Sequence, residues 1–348
     1  MTEGRAKPAE IKTATVAPSD DKTLAEISDF ASRQSCPSPF QSGELLKVYS
    51  KAKRCRPIAL TGRNAEGDLI ASLVATTFMD AGAMAGSLVS HVSVRGGPLL
   101  AASEEGTAAG KLILKELLRK AKKESLYTRV YPSSDKGDQI SVLKEAGFSK
   151  EDWLNYLIDL TVGEQALEEK LTKHRRKGIH KAEKLGLQLV DASSAGDIDT
   201  LYSLLLDSHA RAKIPLQDKS LFTAVRDILV PRGMARLVMA YIGEKPIAAR
   251  VALAFSGVVY DWYAGSIPEA DEMNANEFLA WRLVAWGCKS GYRIFDFGGA
   301  GLPEEEYGPR EFKRRFGGQL VNPGRYTVVH KPKMLKVLQN LNSFRRRI

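Results

Sequence analysis

Cysteine and histidine are scarce in this chain of 348 residues: it has Cys36, Cys55 and Cys288, and five histidines. No Cys-x-x-Cys pair occurs and no histidines cluster at metal-ligand spacing, so neither a disulfide framework nor a bound metal is expected. An odd number of unpaired cysteines fits a reducing, cytoplasmic compartment. Long apolar runs are missing too. The most apolar stretch, Leu69 to Val94, is interrupted by Asp80, Gly82 and Gly86, and a carboxylate in mid-bilayer is costly. It reads as two strands and a turn. Met1 to Leu24 has no apolar core between a basic leader and a small-residue cleavage site, so residues 1–20 are expected as a disordered tail, not a secretion signal. No Ser-His-Asp or Cys-His arrangement with a recognisable local signature is present, which gives no support to a covalent acyl-enzyme.

The remainder is ordinary for folded protein: 44% of residues are hydrophobic and 26% charged, enough to build two cores. Acid is in deficit. Lys and Arg number 51 against 41 Asp and Glu, a net charge of +10, which favours an anionic partner such as RNA, phosphate or an acidic membrane face. The excess is local. Lys170, Lys173, Arg175, Arg176, Lys177, Lys181 and Lys184 stand against Glu183 alone, and Leu167, Leu171, Gly178, Ala182 and Leu185 recur among them at helical spacing. A basic amphipathic helix over 164–185 follows. Arg175, Arg176, Lys177 and Lys181 are candidate RNA or phosphate contacts, and equally the solvated face of a linking helix. A second basic segment, 331–348, is expected as a C-terminal helix or tail.

Between these landmarks strands and helices alternate in an order that the second half repeats. Thr128-Arg-Val-Tyr131 followed by Leu143-Lys-Glu-Ala-Gly-Phe148 is matched by Tyr292-Arg-Ile-Phe295 followed by Phe312-Lys-Arg-Arg-Phe-Gly317. This suggests a duplicated unit, with one domain over 21–162 and another over 163–330. The fold class is α/β (α+β), each domain a mixed, mainly antiparallel sheet flanked by helices.

That unit resembles the GNAT acyltransferase fold. The helix that in this superfamily receives the pyrophosphate of acyl-CoA normally opens on a Gln/Arg-x-x-Gly-x-Gly/Ala motif. Here the matching places read Ser103-Glu-Glu-Gly-Thr-Ala-Ala-Gly110 and Ala270-Asp-Glu-Met-Asn-Ala-Asn276, with carboxylates where a helix N-terminus would otherwise attract phosphate. The order of Pro39-Phe-Gln-Ser42, Val94-Arg-Gly-Gly-Pro98, Arg175-Arg-Lys-Gly-Ile-His-Lys-Ala182, Trp262-Tyr-Ala-Gly265, Phe295-Asp-Phe-Gly-Gly299 and Glu311-Phe-Lys-Arg-Arg-Phe-Gly317 is similar to that of Fem-type peptidoglycan-bridge aminoacyltransferases. The resemblance runs from Pro39 to about Val328. It implies transfer of an amino acid from aminoacyl-tRNA, without metal or resident cofactor, to an amine of a nucleotide- or lipid-linked cell-wall precursor. A monomer in the cytoplasm is implied, with peripheral contact at the inner membrane face. Two other readings stay open: an acyl-CoA-dependent N-acetyltransferase of the same fold, and a non-catalytic RNA- or membrane-binding protein.

The same resemblance places Phe312 and Lys313 at the active site, with the lysine on the reacting carbonyl or the donor's terminal nucleotide. Asp296 follows an apolar strand and precedes Gly298-Gly299, where a carboxylate orients an amine or caps its own loop. Arg95 beside Gly96-Gly97 is a candidate contact for a phosphate on the acceptor, or a surface arginine on a turn. Tyr263, at a strand end, offers a hydroxyl to the acceptor or is an interior aromatic. Gly298, Gly299, Asn276 and Tyr307 complete the expected substrate-binding set.

Overall fold

The computed structural model describes residues 10–79, 90–135 and 137–340. The expected turn after Leu69–Phe78 and Arg345 to Arg347 of the basic tail lie outside them. The first half runs β1 (Lys12–Val16), α1 (Asp21–Ser32), α2 (Gly43–Lys51), β2 (Cys55–Arg63), β3 (Leu69–Met79), β4 (Ser90–Arg95), β5 (Leu99–Leu100), α3 (Glu104–Glu124), β6 (Tyr127–Tyr131), α4 (Asp138–Glu145), β7 (Ser149–Glu151) and β8 (Asn155–Asp159). The second runs α5 (Glu164–Lys170), α6 (Lys173–Lys184), β9 (Gln188–Asp191), α7 (Ala195–Ala212), α8 (Lys219–Ile228), β10 (Ala235–Ile242), β11 (Lys245–Phe255), β12 (Val258–Ser266), α9 (Ala275–Lys289), β13 (Ile294–Gly299), α10 (Gly308–Arg314), β14 (Gln319–Val321), β15 (Arg325–Val329) and α11 (Pro332–Asn340).

Two mixed sheets result, and they share one plan. The first has the order β1-β2-β3-β4-β6-β15-β7, with β5 on β3; the second has β9-β10-β11-β12-β13-β8-β14. In each, the pair after the meander, β4 with β6 and β12 with β13, is parallel and the other neighbours are antiparallel. A parallel neighbour needs a crossover helix, which α3 and α9 supply. Helix α3 shows how locally this is written: Ser103 Oγ accepts from Gly106 N at 3.0 Å to start it, and Ala109, Ile113, Leu117 and Ala121 form its buried stripe.

The halves are not self-contained. Strand β15, from the end of the second half, lies between β6 and β7 of the first sheet, while β8, from the end of the first half, lies between β13 and β14 of the second. A boundary between 162 and 163 therefore cuts across both sheets. The cores merge as well: Phe40, Leu45 and Val48 pack in one cluster with Leu201, Leu221, Phe222 and Val251.

Three expectations on segment limits change. Within 1–20, Lys12–Val16 is a strand paired with β2. The basic helix over 164–185 is two helices, because Leu171 turns into the core and Thr172 restarts the chain, its Oγ accepting from Arg175 N at 3.3 Å. In the C-terminal segment, α11 seats Leu335 on Leu126 and Tyr127.

Tyr326 of β15 is 1% exposed and packs among Leu117, Val130 and Phe148 of the first sheet. Tyr326→Ala, so near the C-terminus, is expected to cost about 3 to 5 kcal/mol in urea denaturation. Fluorescence and circular dichroism should follow one coincident transition; two separate transitions would contradict the shared architecture.

Candidate active site

A cleft of about 750 Å³ opens between the two sheets, lined by Arg95, Tyr131 and Trp153 on one side and by β12, β13 and α10 on the other. Its geometry starts with a parallel pair that parts. β12 and β13 are paired only from Val258–Ile294 to Tyr260–Asp296; beyond that they diverge, and the cleft lies in the opening. A β-bulge adds to this. The register on β11 slips so that Val251 faces Tyr263 and Ala252 faces Asp261, leaving Trp262 without a partner. In a regular strand Asp261 and Tyr263 would share a face; the extra residue sends them to opposite faces. Tyr263 packs on Phe222 at 5.0 Å between ring centroids, and Asp261 meets Arg250. Both line the cleft.

Lys313, on α10, reaches the diverging strand: its Nζ donates to Gly298 O at 3.1 Å and Gly299 O at 2.6 Å. Burial pulls its pKa down to about 8, opposed by the carboxylates of Asp261 and Asp296. Phe312 holds this lysine in place. Its ring lies 4.5 Å from the guanidinium carbon of Arg175 and 5.2 Å from that of Arg250, and Arg175 Nη2 donates to its carbonyl at 3.2 Å. Cations against an aromatic face attract it most when desolvated. Phe316, one helical turn on, packs on Phe312 at 5.2 Å and is buried.

Gly298 and Gly299 are required by close packing. Gly298 has φ +68, and a Cβ there would meet Tyr260 Oη at 2.7 Å; one on Gly299 would meet Trp153 Nε1 at 2.3 Å. Asp296 caps its own loop, Oδ1 accepting from Gly298 N at 2.7 Å and from Asn155 Nδ2 at 2.8 Å. It lines a smaller cavity of about 240 Å³ that shares Gly298 and Gly299 with the cleft. Burial raises its pKa, against the pull of Asn155, the Gly298 amide and Lys313. Asn276 lines the cleft with its amide donating to Ser266 Oγ at 3.0 Å, and Tyr307 lines it at the start of α10.

The cleft thus unites Lys313, Phe312, Arg95, Tyr263, Gly298, Gly299, Asn276 and Tyr307. It excludes the basic quartet, and one member of that quartet is corrected outright. Arg175 is 2% exposed and ion-paired with Glu277, so its charge is spent inside the protein and no polyanion reaches it. Arg176 is half-buried, its Nε donating to Glu168 O at 3.1 Å and Nη2 to Glu169 O at 2.9 Å, at the end of α5. Lys177 and Lys181 are exposed, and Lys181 Nζ donates to Glu272 O at 2.8 Å.

Arg250, Asp261 and Glu277 are functional candidates that the sequence alone does not single out. Arg250 interrupts Ala248-Ala249 and Val251-Ala252, and Glu277 precedes the apolar run of α9. A charge set in an otherwise apolar element is the available signal. Asp261 lines the cleft, and its Oδ1 is buried without a hydrogen-bond partner.

Residues 169–314 match the family model described as Acetyltransferase (GNAT) domain. No curated protein matches the sequence. Among solved structures, that of FemX is similar with a TM-score of 0.67 at 13% identity, over 94% of this chain and 100% of that one. A tandem GNAT protein from the clavulanic acid biosynthesis pathway gives a TM-score of 0.58 at 12% identity, over 92% and 99%. The C-terminal domain of a putative lysylphosphatidylglycerol synthetase from Agrobacterium fabrum gives 0.57 at 15%, over 94% and 98%. At such identities the likeness speaks for the fold.

Removing one partner of a buried ion pair leaves the other charge uncompensated. Arg175→Met is therefore expected to lose about 3 to 5 kcal/mol of stability, read by chemical denaturation, while Lys177→Gln stays unchanged. Equal stability of the two would return Arg175 to the surface. The match of residues 169–314 to a GNAT domain and the tandem GNAT fold of the whole chain together support a transferase.

Proposed function

We propose that the cleft transfers an aminoacyl group from aminoacyl-tRNA to the amine of a nucleotide- or lipid-linked acceptor such as a cell-wall precursor. No resident cofactor takes part in this reading, which places the protein in the cytoplasm, peripheral to the inner membrane face. No helix among the described residues is long and apolar enough to cross a membrane. The observation that carries the reading is Lys313, a half-buried ammonium held on the carbonyls of Gly298 and Gly299 where β12 and β13 part. As the amine attacks the ester carbonyl, negative charge develops on its oxygen; a fixed cation in a desolvated cleft stabilises that charge more than the ground state. The attacking amine must be neutral, and Asp261, whose Oδ1 is buried and unpartnered, is the carboxylate to receive the proton it sheds as the C–N bond forms and the tRNA ester oxygen leaves. FemX and the lysylphosphatidylglycerol synthetase, both similar in fold, favour an aminoacyl over an acetyl group. So does the start of α9, where Glu277 stands in the first turn and Asp271 lines the cleft, a poor seat for the pyrophosphate of CoA.

Loss of one group that stabilises an oxyanion costs on the order of 100- to 1000-fold in turnover. Lys313→Met should fall by that much with a charged tRNA and an amine acceptor, while Arg314→Met, whose guanidinium pairs with Glu311 at the surface, should not. Full activity in both variants would overturn the assignment. Acetyl-CoA binding by calorimetry, with no binding of charged tRNA, would transfer the reading to the N-acetyltransferase.

A lysine with a pKa of about 8 is charged below that pH and neutral above it. The wild-type rate should therefore decline as pH rises through about 8, and this limb should be absent in Lys313→Met. For tRNA, the exposed lysines of α6 are the cations left to test. Lys177→Gln with Lys181→Gln should flatten the slope of log affinity against log salt by about 0.7 to 0.9 for each phosphate that is no longer neutralised; an unchanged slope would make α6 a solvated helix.

A further inference from the structure

Arg95 stands where three cavities meet. It lines the cleft, the cavity behind Gly298 and Gly299, and a third chamber of about 150 Å³ on the side of the first sheet. This chamber shares Arg95, Tyr131, Trp262 and Tyr263 with the cleft, and Tyr49, His91, Ser93 and Gln217 help to close it. Among the described residues that line it none is an acid, and Arg129 adds a second guanidinium, whose Nε donates to Thr327 Oγ1 at 3.1 Å.

Arg95 itself is unusual in what surrounds it. Its Nη1 donates to Tyr260 Oη at 3.2 Å, and its guanidinium carbon lies 5.3 Å from the Phe40 ring centroid and 4.9 Å from that of Tyr131. It forms no ion pair with a carboxylate of the described residues. Aromatic faces soften the burial of a guanidinium but leave most of its N–H donors unused. The backbone of Arg95 is also fixed: Gln41 Nε2 donates to Arg95 O at 2.7 Å and to Val74 O at 2.9 Å, and Gln41 is fully buried. His91 is held neutral there, its pKa pushed down to about 4 by burial first and then by Arg129 and Arg95. The guanidinium share of that shift is what favours an anion, since burial alone disfavours a charge of either sign.

We infer that this chamber is a subsite for an oxyanion, a phosphate or carboxylate carried by the molecule that fills the cleft, with Arg95 as its counter-charge. The guanidinium fork matches either group in a bidentate way. The volume holds such a group with a few attached atoms, so the body of the ligand stays in the cleft. The inference rests on the cleft being the transfer site, and names a charged group that its occupant must bear.

The test is a calorimetric titration of the full chain with inorganic phosphate and, separately, with acetate at fixed ionic strength. Saturable one-to-one binding is expected, weaker by roughly tenfold or more in Arg95→Gln. Preference for phosphate identifies a phosphorylated occupant, and preference for acetate a carboxylate. Because Arg95 also packs on Phe40 and Tyr131, a second variant keeps it in place: Ser93→Leu fills the chamber and should abolish binding, with thermal melts of both variants reporting their folding. Failure of both anions to bind the wild type, or retention of binding in folded Ser93→Leu, overturns the subsite. Turnover is not read, so this result and that of Lys313→Met stand or fall separately.

Discussion

Neither sheet is closed by its own half of the chain. Without β15, strands β6 and β7 would face each other across a gap; without β8, so would β13 and β14. Unpaired strand edges inside a folded protein leave backbone donors and acceptors unsatisfied, so each half must wait for the other. The crossing of the two exchanged strands is itself a packed joint. Arg325, opening β15, lies 4.2 Å from the Trp153 ring centroid and pairs with Glu151, while Trp153 N donates to Asn322 Oδ1 at 3.0 Å. The same Trp153 touches Gly299, and Asn155 of β8 orients Asp296. The joint between the halves is thus also one wall of the cleft, and the site cannot exist before the exchange is made.

On that frame the protein places more buried charge than stability calls for. Arg175 with Glu277 and Arg250 with Asp261 are ion pairs at the core margin, and each arginine holds a face of Phe312. Desolvating two such pairs seldom returns a net gain. They are not even fully satisfied, since Arg175 Nε, Arg250 Nε and Asp261 Oδ1 are buried without partners. Helix α10 is a short element with no buried side chain within its limits. The guanidinium pair gives it a fixed seat, and Lys313 inherits that position. Unsatisfied polar atoms gathered around one residue are what a site looks like when position is kept at the expense of stability.

Much of this is legible in the sequence, and the exceptions have physical causes. The long elements carry their own periodicity and caps, so α3, α7 and β10 to β12 follow from local pattern. β1, β7, β14 and β15 are short, and three of the four are largely solvent-facing; nothing local distinguishes them from loop, and their pairing across the halves is a tertiary fact. Arg175 is more instructive. It lies four residues after Leu171 and three before Gly178, on the apolar stripe of its own helix, so its period assigns it to the core while its charge suggests the surface. Position decides. Phe312 and Lys313 emerge through resemblance, because a Phe-Lys pair among arginines has no signature of its own. Asp261 depends on the bulge at Trp262, which alternation along the strand cannot reveal.

The two repeats also show why one of them carries the cleft. In the first, β4 and β6 stay parallel as far as Arg95 and Tyr131, and Gly96 N then donates to Tyr131 O at 2.7 Å, which draws the strand ends together. The position matching Lys313 in that repeat is Lys144, and it is exposed. In the second, pairing stops at Tyr260 and Asp296, and the strand beyond offers carbonyls at Gly298 and Gly299 that β12 no longer meets. Buried carbonyls need donors. Lys313 supplies them, and in doing so an ammonium becomes fixed in the gap between the strands. The first repeat, with its strands closed, has no such vacancy; its contribution is the Arg95 side chain at the wall of its neighbour's cleft. One unit, used twice, is split by a single difference in strand pairing into a half that opens and a half that supports.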